Sequence, residues 1–319
     1  MPFQKWWFIR SILKYGSPII SSLEKPGIRR YGVDQPEHPC VFIIGPPRSG
    51  STIAYQVITS LLDVAYIDNL INLARYNPYF GLKLSQRLYP TKSHSSYTST
   101  YGRTSRDGLH APAEALFFYK WFPTNRHYTE MGDLSPEQIE EFRQTVYALQ
   151  NRSGKPLFIK NLSFSLRLQV LREVLPKAKY IVVRRNPLYT AQSILLAMRK
   201  NNAPEDRVWG ILPKDFEKLA GLSPHEMVVR QVNQIEHQIF EDLKHIPEQN
   251  ILYLDYEKLG AAPELVLGEV MKLCGPGVRR RPMMPLPEIS VKNQSRLSEE
   301  EMEILKNHIK PMKWALQTS

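Results

Sequence analysis

From residue 40 onward, short and wholly apolar runs alternate with longer segments whose apolar positions recur at helical spacing. CVFIIG (40–45), VAYID (64–68), PLFIK (156–160), KYIVV (179–183) and ILYLD (251–255) read as strands buried on both faces. Helices are predicted at 51–62, at 70–88 with an interruption at Pro78, and at 164–174, 187–199 and 257–273. This alternation predicts an α/β fold, a parallel sheet of about five strands flanked by helices. Ser135-Pro-Glu-Gln138, Ser223-Pro-His-Glu226 and Ser298-Glu-Glu-Glu301 have the form of capping boxes, and they predict long helices at 136–151 and 224–246. The polar stretch 91–110 shows no element of its own, which predicts a lid or a mobile segment. Residues 275–290, with Arg279–Arg281, read as an irregular basic connection. One domain is therefore expected over 36–319, carrying an excursion at about 69–155 and preceded by a basic amphipathic segment, 1–35.

Composition narrows this little. Apolar residues make up 42% and charged residues 23%, which excludes wholesale disorder, a collagen repeat and a polytopic membrane protein. Cys40 and Cys274 are too few for a disulfide framework and suit a reducing, cytoplasmic setting. The net charge of +11 favours an anionic partner such as a nucleotide, an acidic polymer or a membrane surface, or else is an ordinary solvated basic surface. No run reaches the roughly eighteen apolar residues of a membrane helix. At the N-terminus Trp6, Ile9 and Leu13 share a helix face, with Lys5, Arg10 and Lys14 mostly off it, and Arg10 and Lys14 spoil a signal peptide. Such a helix lies peripherally on a membrane or, more commonly, packs on its own domain or a partner. No signature of a nucleic-acid-binding module occurs, so no nucleic-acid partner is expected.

Two segments carry chemistry. IIGPPRSGSTIAYQ (43–56) follows a predicted strand and opens a predicted helix, with the spacing Gly45-x4-Gly50-Ser51-Thr52. A glycine-bearing turn of this kind aims backbone N–H groups and a helix N-terminus at one spot, which is a cradle for phosphate. The nucleoside-triphosphate form has lysine where Ser51 stands, whereas the basic residue here is Arg48. In KYIVVRRNPLYTAQSILLAMRK (179–200) a strand ends at Arg184-Arg185-Asn186-Pro187, and Ser193 follows eight residues after Arg185. An arginine at the carboxyl end of a strand and a serine two turns into the next helix can reach one anionic group.

Together the two segments resemble the sulfotransferases that use 3′-phosphoadenosine 5′-phosphosulfate (PAPS). PPRSGST (46–52) looks like their 5′-phosphosulfate loop, in the P-R-S-G form of tyrosylprotein sulfotransferases and many bacterial members. R-N-P-x5-S (185–193) is similar to their 3′-phosphate motif, and ILYLDYEKL (251–259) to the strand and Y-E-D-L that follow. The resemblance covers about 40–275 and implies transfer of a sulfuryl group from PAPS to an acceptor hydroxyl, on a carbohydrate, lipid, peptide or small molecule. It implies that Arg48, Ser49, Gly50, Ser51 and Thr52 hold the 5′-phosphosulfate, that Arg185 and Ser193 hold the 3′-phosphate, that Tyr256 lies near the adenine, and that Arg48 and Lys160 stabilise the leaving phosphate. The family requires no metal. Lys292, Asn293 and Arg296 stand where the C-terminal segment could close over the 3′-phosphate.

The general base is less determined. Cytosolic members place histidine two residues after the lysine that matches Lys160, and here that position is Leu162. Glu114, then His110, then Asp68 are the candidates, and Asp68 aligns one place before the catalytic glutamate of the tyrosylprotein type. Two rivals stand beside this reading. A P-loop kinase or NTPase would use ILYLD as the strand whose aspartate holds Mg²⁺, and a non-catalytic scaffold would keep the fold alone.

Overall fold

The five strands form as β1 (Cys40–Ile44), β2 (Ala65–Tyr66), β3 (Leu157–Lys160), β4 (Lys179–Arg184) and β5 (Ile251–Asp255). They pair in the order β2–β3–β1–β4–β5, parallel throughout, with Ile43 opposite both Lys160 and Ile181. This computed structural model describes residues 11–90, 93–99, 102, 104, 107–281, 285, 287–289 and 291–316. Trp6 and Ile9 of the predicted N-terminal face lie outside them.

Every residue of β1 is buried because both faces of the sheet are covered. Side chains alternate between two cores, as period-two geometry requires. Cys40, Phe42, Ile44, Leu157, Ile159, Tyr180 and Val182 enter one core; Val41, Ile43, Phe158, Ile181, Val183 and Leu254 enter the other. The chain leaves β1 toward β2 and leaves β4 toward β5. The carboxyl ends of β1 and β4 therefore flank the point where strand order reverses, the usual crevice for a ligand in an open α/β sheet.

The helices are α1 (Ser17–Tyr31), α2 (Ser51–Leu61), α3 (Asn69–Leu73), α4 (Pro78–Leu88), α5 (Pro136–Ser153), α6 (Leu168–Val174), α7 (Pro187–Lys200), α8 (Pro224–Leu243), α9 (Tyr256–Ala261), α10 (Pro263–Cys274) and α11 (Glu299–Ile309). Two predicted helices divide. The 70–88 stretch becomes α3 and α4, since Pro78 starts a new helix after Asn77. The 257–273 stretch divides at Ala262–Pro263, where the proline ring cannot continue the preceding helix. Residues 162–166 are a 3₁₀ turn before α6. Ser135, Ser223 and Ser298 all accept an amide of the first turn, but the reciprocal half of the box forms at Ser135 with Gln138. Glu226 and Glu301 turn instead to Arg230 (2.7 Å) and Arg199 (2.6 Å), because a guanidinium offers a carboxylate more than one backbone N–H does.

Arg167, at the start of α6, ties down the excursion between β2 and β3. This fully buried side chain donates to the carbonyls of Pro123 (2.9 Å), Arg126 (3.3 Å) and His127 (2.9 Å), and burial brings its pKa down to about 10. None of the described helices is long and apolar enough to cross a membrane.

Candidate active site

The loop after β1 has the backbone that its glycines permit. Gly45 has φ +145°, and a Cβ there would stand 2.5 Å from the Val183 carbonyl oxygen; Gly50 has φ +96°, and its Cβ would fall 2.4 Å from the Tyr256 ring. Only glycine allows both close approaches. Arg48 holds φ +67° with a full side chain, a strained conformation that surrounding contacts must maintain. Ser165 pins the base of the loop, accepting from Gly45 N (3.0 Å) and donating to Gly45 O (3.0 Å). Ser51 opens α2, so the loop ends on a helix N-terminus.

Arg48 reaches across to the second motif. Its Nε donates to Ser193 Oγ at 3.1 Å, and Arg185 Nη1 donates to the Arg48 carbonyl at 3.1 Å. Arg185 also donates to Asn293 Oδ1 (2.9 Å) and Lys292 O (2.6 Å), and its guanidinium stands 4.9 Å from the Tyr256 ring centroid. Burial draws this guanidinium below its ordinary range, while Tyr256 and Glu257 act the other way. The Tyr256 hydroxyl accepts from Lys292 N at 3.2 Å, so that ring is wedged between the loop and the C-terminal segment. Gln192, wholly buried, holds the same segment by accepting from Arg296 N (2.7 Å) and donating to Gln294 O (2.9 Å). Of the paired arginines only Arg185 faces the site; Arg184 binds Asp255 (2.8 Å) and Leu316 O (3.0 Å).

These groups border one cavity of ≈ 610 Å³. Arg48, Gly50, Ser51, Thr52, Arg185, Ser193 and Tyr256 line it, as do Lys292 and Arg296. Ser49 does not: it is fully buried, and its amide donates to Pro46 O at 3.3 Å. The volume lies within the usual range for cofactor sites. Lys160, at the end of β3, meets Glu114 on the wall, with Nζ to Oε1 2.7 Å. The lysine side chain is 2% exposed and the carboxylate 35%, so the acid is the partner open to a ligand.

Glu114 lies in an extended segment laid across the strand ends. Ala113 N donates to Ile67 O (2.8 Å) and Ala115 N to Lys160 O (2.8 Å). Asn72 grips the backbone directly after Glu114, donating to its carbonyl (2.5 Å) and accepting from Leu116 N (3.0 Å). Asn161 donates to Ala115 O at 2.7 Å. His110 and Asp68 lie off the cavity lining. Asp68 is 1% exposed, caps α3 through Ile71 N (2.9 Å), and accepts from Ser85 Oγ (2.5 Å). His110 Nδ1 stands 3.2 Å from Asp68 Oδ2 and its Nε2 2.8 Å from the Tyr66 hydroxyl. Neither is placed by these contacts to touch a molecule in the cavity.

The described part of 91–110 forms a wall rather than a free strand. Gln56 donates to Thr98 O (2.7 Å), Ser60 pairs with the Tyr97 hydroxyl (2.6 Å), and Asp107 accepts from Ser96 and Thr98. Burial lowers the His94 pKa to about 3, so the ring is neutral. Its Nδ1 accepts from Ser96 N, which leaves Nε2–H to donate to Thr59 Oγ1 at 2.9 Å. Tyr97, Thr98, Ser99 and Gly102 line the cavity, and a Cβ at Gly102 would lie 3.7 Å from Lys160 Nζ.

This geometry defines an α/β protein with a cavity rimmed by a glycine-bearing loop and arginines and an adjoining acid–lysine pair. The profile of the Sulfotransferase family matches residues 39–278, and the chain belongs to that family. Two curated relatives are omega-hydroxy-beta-dihydromenaquinone-9 sulfotransferases Stf3, of Mycobacterium bovis and Mycobacterium tuberculosis. Each is 25% identical over 174 residues, 53% of this chain and 42% of the relative, so the match spans less than half of those proteins. Solved structures similar to it include sulfotransferase STF1 from Mycobacterium tuberculosis (12% identity, TM-score 0.49, covering 92% of this chain and 78% of that one). Sulfotransferase STF9 from Mycobacterium avium is another (15%, TM-score 0.46, covering 92% and 72%).

Proposed function

We propose that the protein is a PAPS-dependent sulfotransferase acting on an acceptor hydroxyl. One observation carries the reading: the 48–52 turn and the Arg185/Ser193 pair border a single cavity and are joined by the Arg48–Ser193 hydrogen bond. A nucleotide with an anionic group at each end suits two anion sites along one rim. PAPS supplies the activated sulfuryl group. The amides and hydroxyls of Ser51 and Thr52 bind its 5′ end, while Arg185, Ser193 and the cations of the Lys292–Arg296 segment bind the 3′-phosphate. Ser49 contributes shape to the turn, since its amide is already engaged.

Glu114 is the general base of this proposal. It is the acid among the three candidates that lines the cavity, and its carboxylate takes the acceptor proton as the hydroxyl oxygen attacks sulfur. Lys160 then turns from the carboxylate toward the charge that grows on the leaving phosphate, which Arg48 also meets. Pro47, Ile53, Tyr97, Leu162, Trp209 and Ile211 give the cavity an apolar portion. An alcohol carried on an apolar body suits it, in keeping with the menaquinone alcohol in the relatives' name. Cys40 and Cys274, both buried and free, suit the cytoplasmic setting proposed here.

The kinase alternative meets Ser51 where a lysine is needed, and Asp255 is turned to Arg184 rather than to the cavity. Calorimetric titration separates the two. Binding of 3′,5′-adenosine bisphosphate in metal-free buffer is expected; binding of Mg-ATP with none of the bisphosphate would overturn the proposal.

A further inference from the structure

Among the described residues, packing covers one face of the N-terminal helix and leaves an apolar stripe on the other exposed. Residues 11–15 are helical and continue into α1 across Gly16, through Gly16 N to Ile12 O (2.8 Å) and Ile20 N to Gly16 O (3.0 Å). The inward face is fixed to α4. Glu24 is buried and accepts from Asn77 Nδ2 (3.2 Å) and Phe80 N (3.1 Å), while Asn77 also donates to Ser21 Oγ (2.8 Å). Gly27 lies so close to Tyr79 that a Cβ would stand 2.3 Å from its ring. Packing on its own domain, the commoner expectation, therefore accounts for this face.

The outward face is a second stripe that this packing leaves open. Ile12 is 55% exposed, Tyr15 80%, Ile19 72% and Leu23 71%. Their numbers advance by three, four and four, which keeps them on one side of a helix. Lys14, Lys25, Arg29 and Arg30 are exposed around them. Glu24 is the one carboxylate in residues 11–31, and it points inward, so the outer side of this helix brings no acid of its own, although Glu141 of α5 acts on Lys25.

We propose that this face docks the protein on an anionic lipid surface, with Ile12, Tyr15, Ile19 and Leu23 in the boundary between headgroups and acyl chains. Charge selects the occupant. A second copy would meet this face isologously and set Lys14, Lys25, Arg29 and Arg30 against themselves, in a chain already carrying +11. A bilayer with anionic headgroups neutralises the same cations while burying the stripe. Because Glu24 and Gly27 already hold the helix, docking spends no free energy on folding it. The inference is independent of the donor chemistry.

Cosedimentation of the full chain with vesicles tests it. Binding is expected on vesicles of phosphatidylcholine mixed with phosphatidylglycerol, and little on phosphatidylcholine alone. Ile19→Asp/Leu23→Asp should reduce it by at least about tenfold. Arg29→Gln/Arg30→Gln should weaken it and flatten its salt dependence. Circular dichroism melting verifies that the variants fold, and Ile19→Ser/Leu23→Ser repeats the test should the aspartates interfere. Three results would overturn the proposal: equal partition on the two vesicle types, binding untouched by the substitutions at 19 and 23, or a dimer in solution that those substitutions dissociate.

Discussion

The rim made by 45–52 and 185–193 is built from two short stretches, each following directly on a strand, whereas the wall that carries Glu114 is assembled from side chains scattered over residues 72–161. In the rim, local backbone geometry does most of the positioning: the glycine φ values, the start of α2, the end of β4. In the wall no local motif holds Glu114. Asn72 grips it from α3 and Lys160 meets it from β3, 42 and 46 residues away in the chain. A site built the first way is visible as a motif, and one built the second way becomes visible only when the chain has folded.

Substitutions can separate the two modes. The largest effect is expected at Glu114→Gln, which removes the proposed proton acceptor: turnover should fall by about 10²-fold or more, with calorimetric affinity for 3′,5′-adenosine bisphosphate unchanged. Near-normal turnover would move the base to His110 or Asp68, whose contacts would then have to rearrange. Next is Asn72→Ala. Loss of its two backbone bonds should lower kcat by roughly tenfold through misplacement of Glu114, and leave bisphosphate binding alone. In the Glu114→Gln background the same substitution should do nothing further; an additive loss would mean that Asn72 merely supports the fold.

The smallest effect concerns a place where the predicted capping geometry gave way to an ion pair. Arg199 holds the Glu301 carboxyl down to about 2 from its ordinary 4.5. A depressed carboxylate pKa adds stability above the unfolded value and loses it as pH falls toward the folded one. Glu301→Gln should therefore lower Tm slightly at neutral pH, and the gap from the parent should close between about pH 4.5 and pH 2. For so exposed a pair it amounts to a few tenths of a kcal/mol. A gap that is constant with pH would contradict the assignment.

Legibility followed the same division. The strands, their parallel pairing and the phosphate loop could be read because apolar runs and glycine spacing are local signals. Sheet order was not readable, nor were the breaks at Pro78 and Pro263 as full helix boundaries. Ser165 beneath Gly45, Gln192 beneath Arg296 and the two asparagines around Glu114 left no trace in the sequence, since a single buried amide or hydroxyl has no period. Ser49 looked like its neighbours in the loop yet turned inward. The N-terminal helix shows the reverse case: packing of this segment on its own domain was one expectation, while the outer stripe at 12, 15, 19 and 23 emerged once packing had claimed the other side.

The central claim is that one nucleotide spans both anion sites, and paired calorimetric titrations test it most directly. Parent protein and Arg185→Ala are each titrated with 3′,5′-adenosine bisphosphate and with adenosine 5′-monophosphate, which lacks the 3′-phosphate. The account predicts that Arg185→Ala weakens the bisphosphate by well over tenfold, as loss of charge-assisted bonds to a phosphate should, and barely changes the monophosphate. Equal losses for both ligands, or none for either, would contradict it.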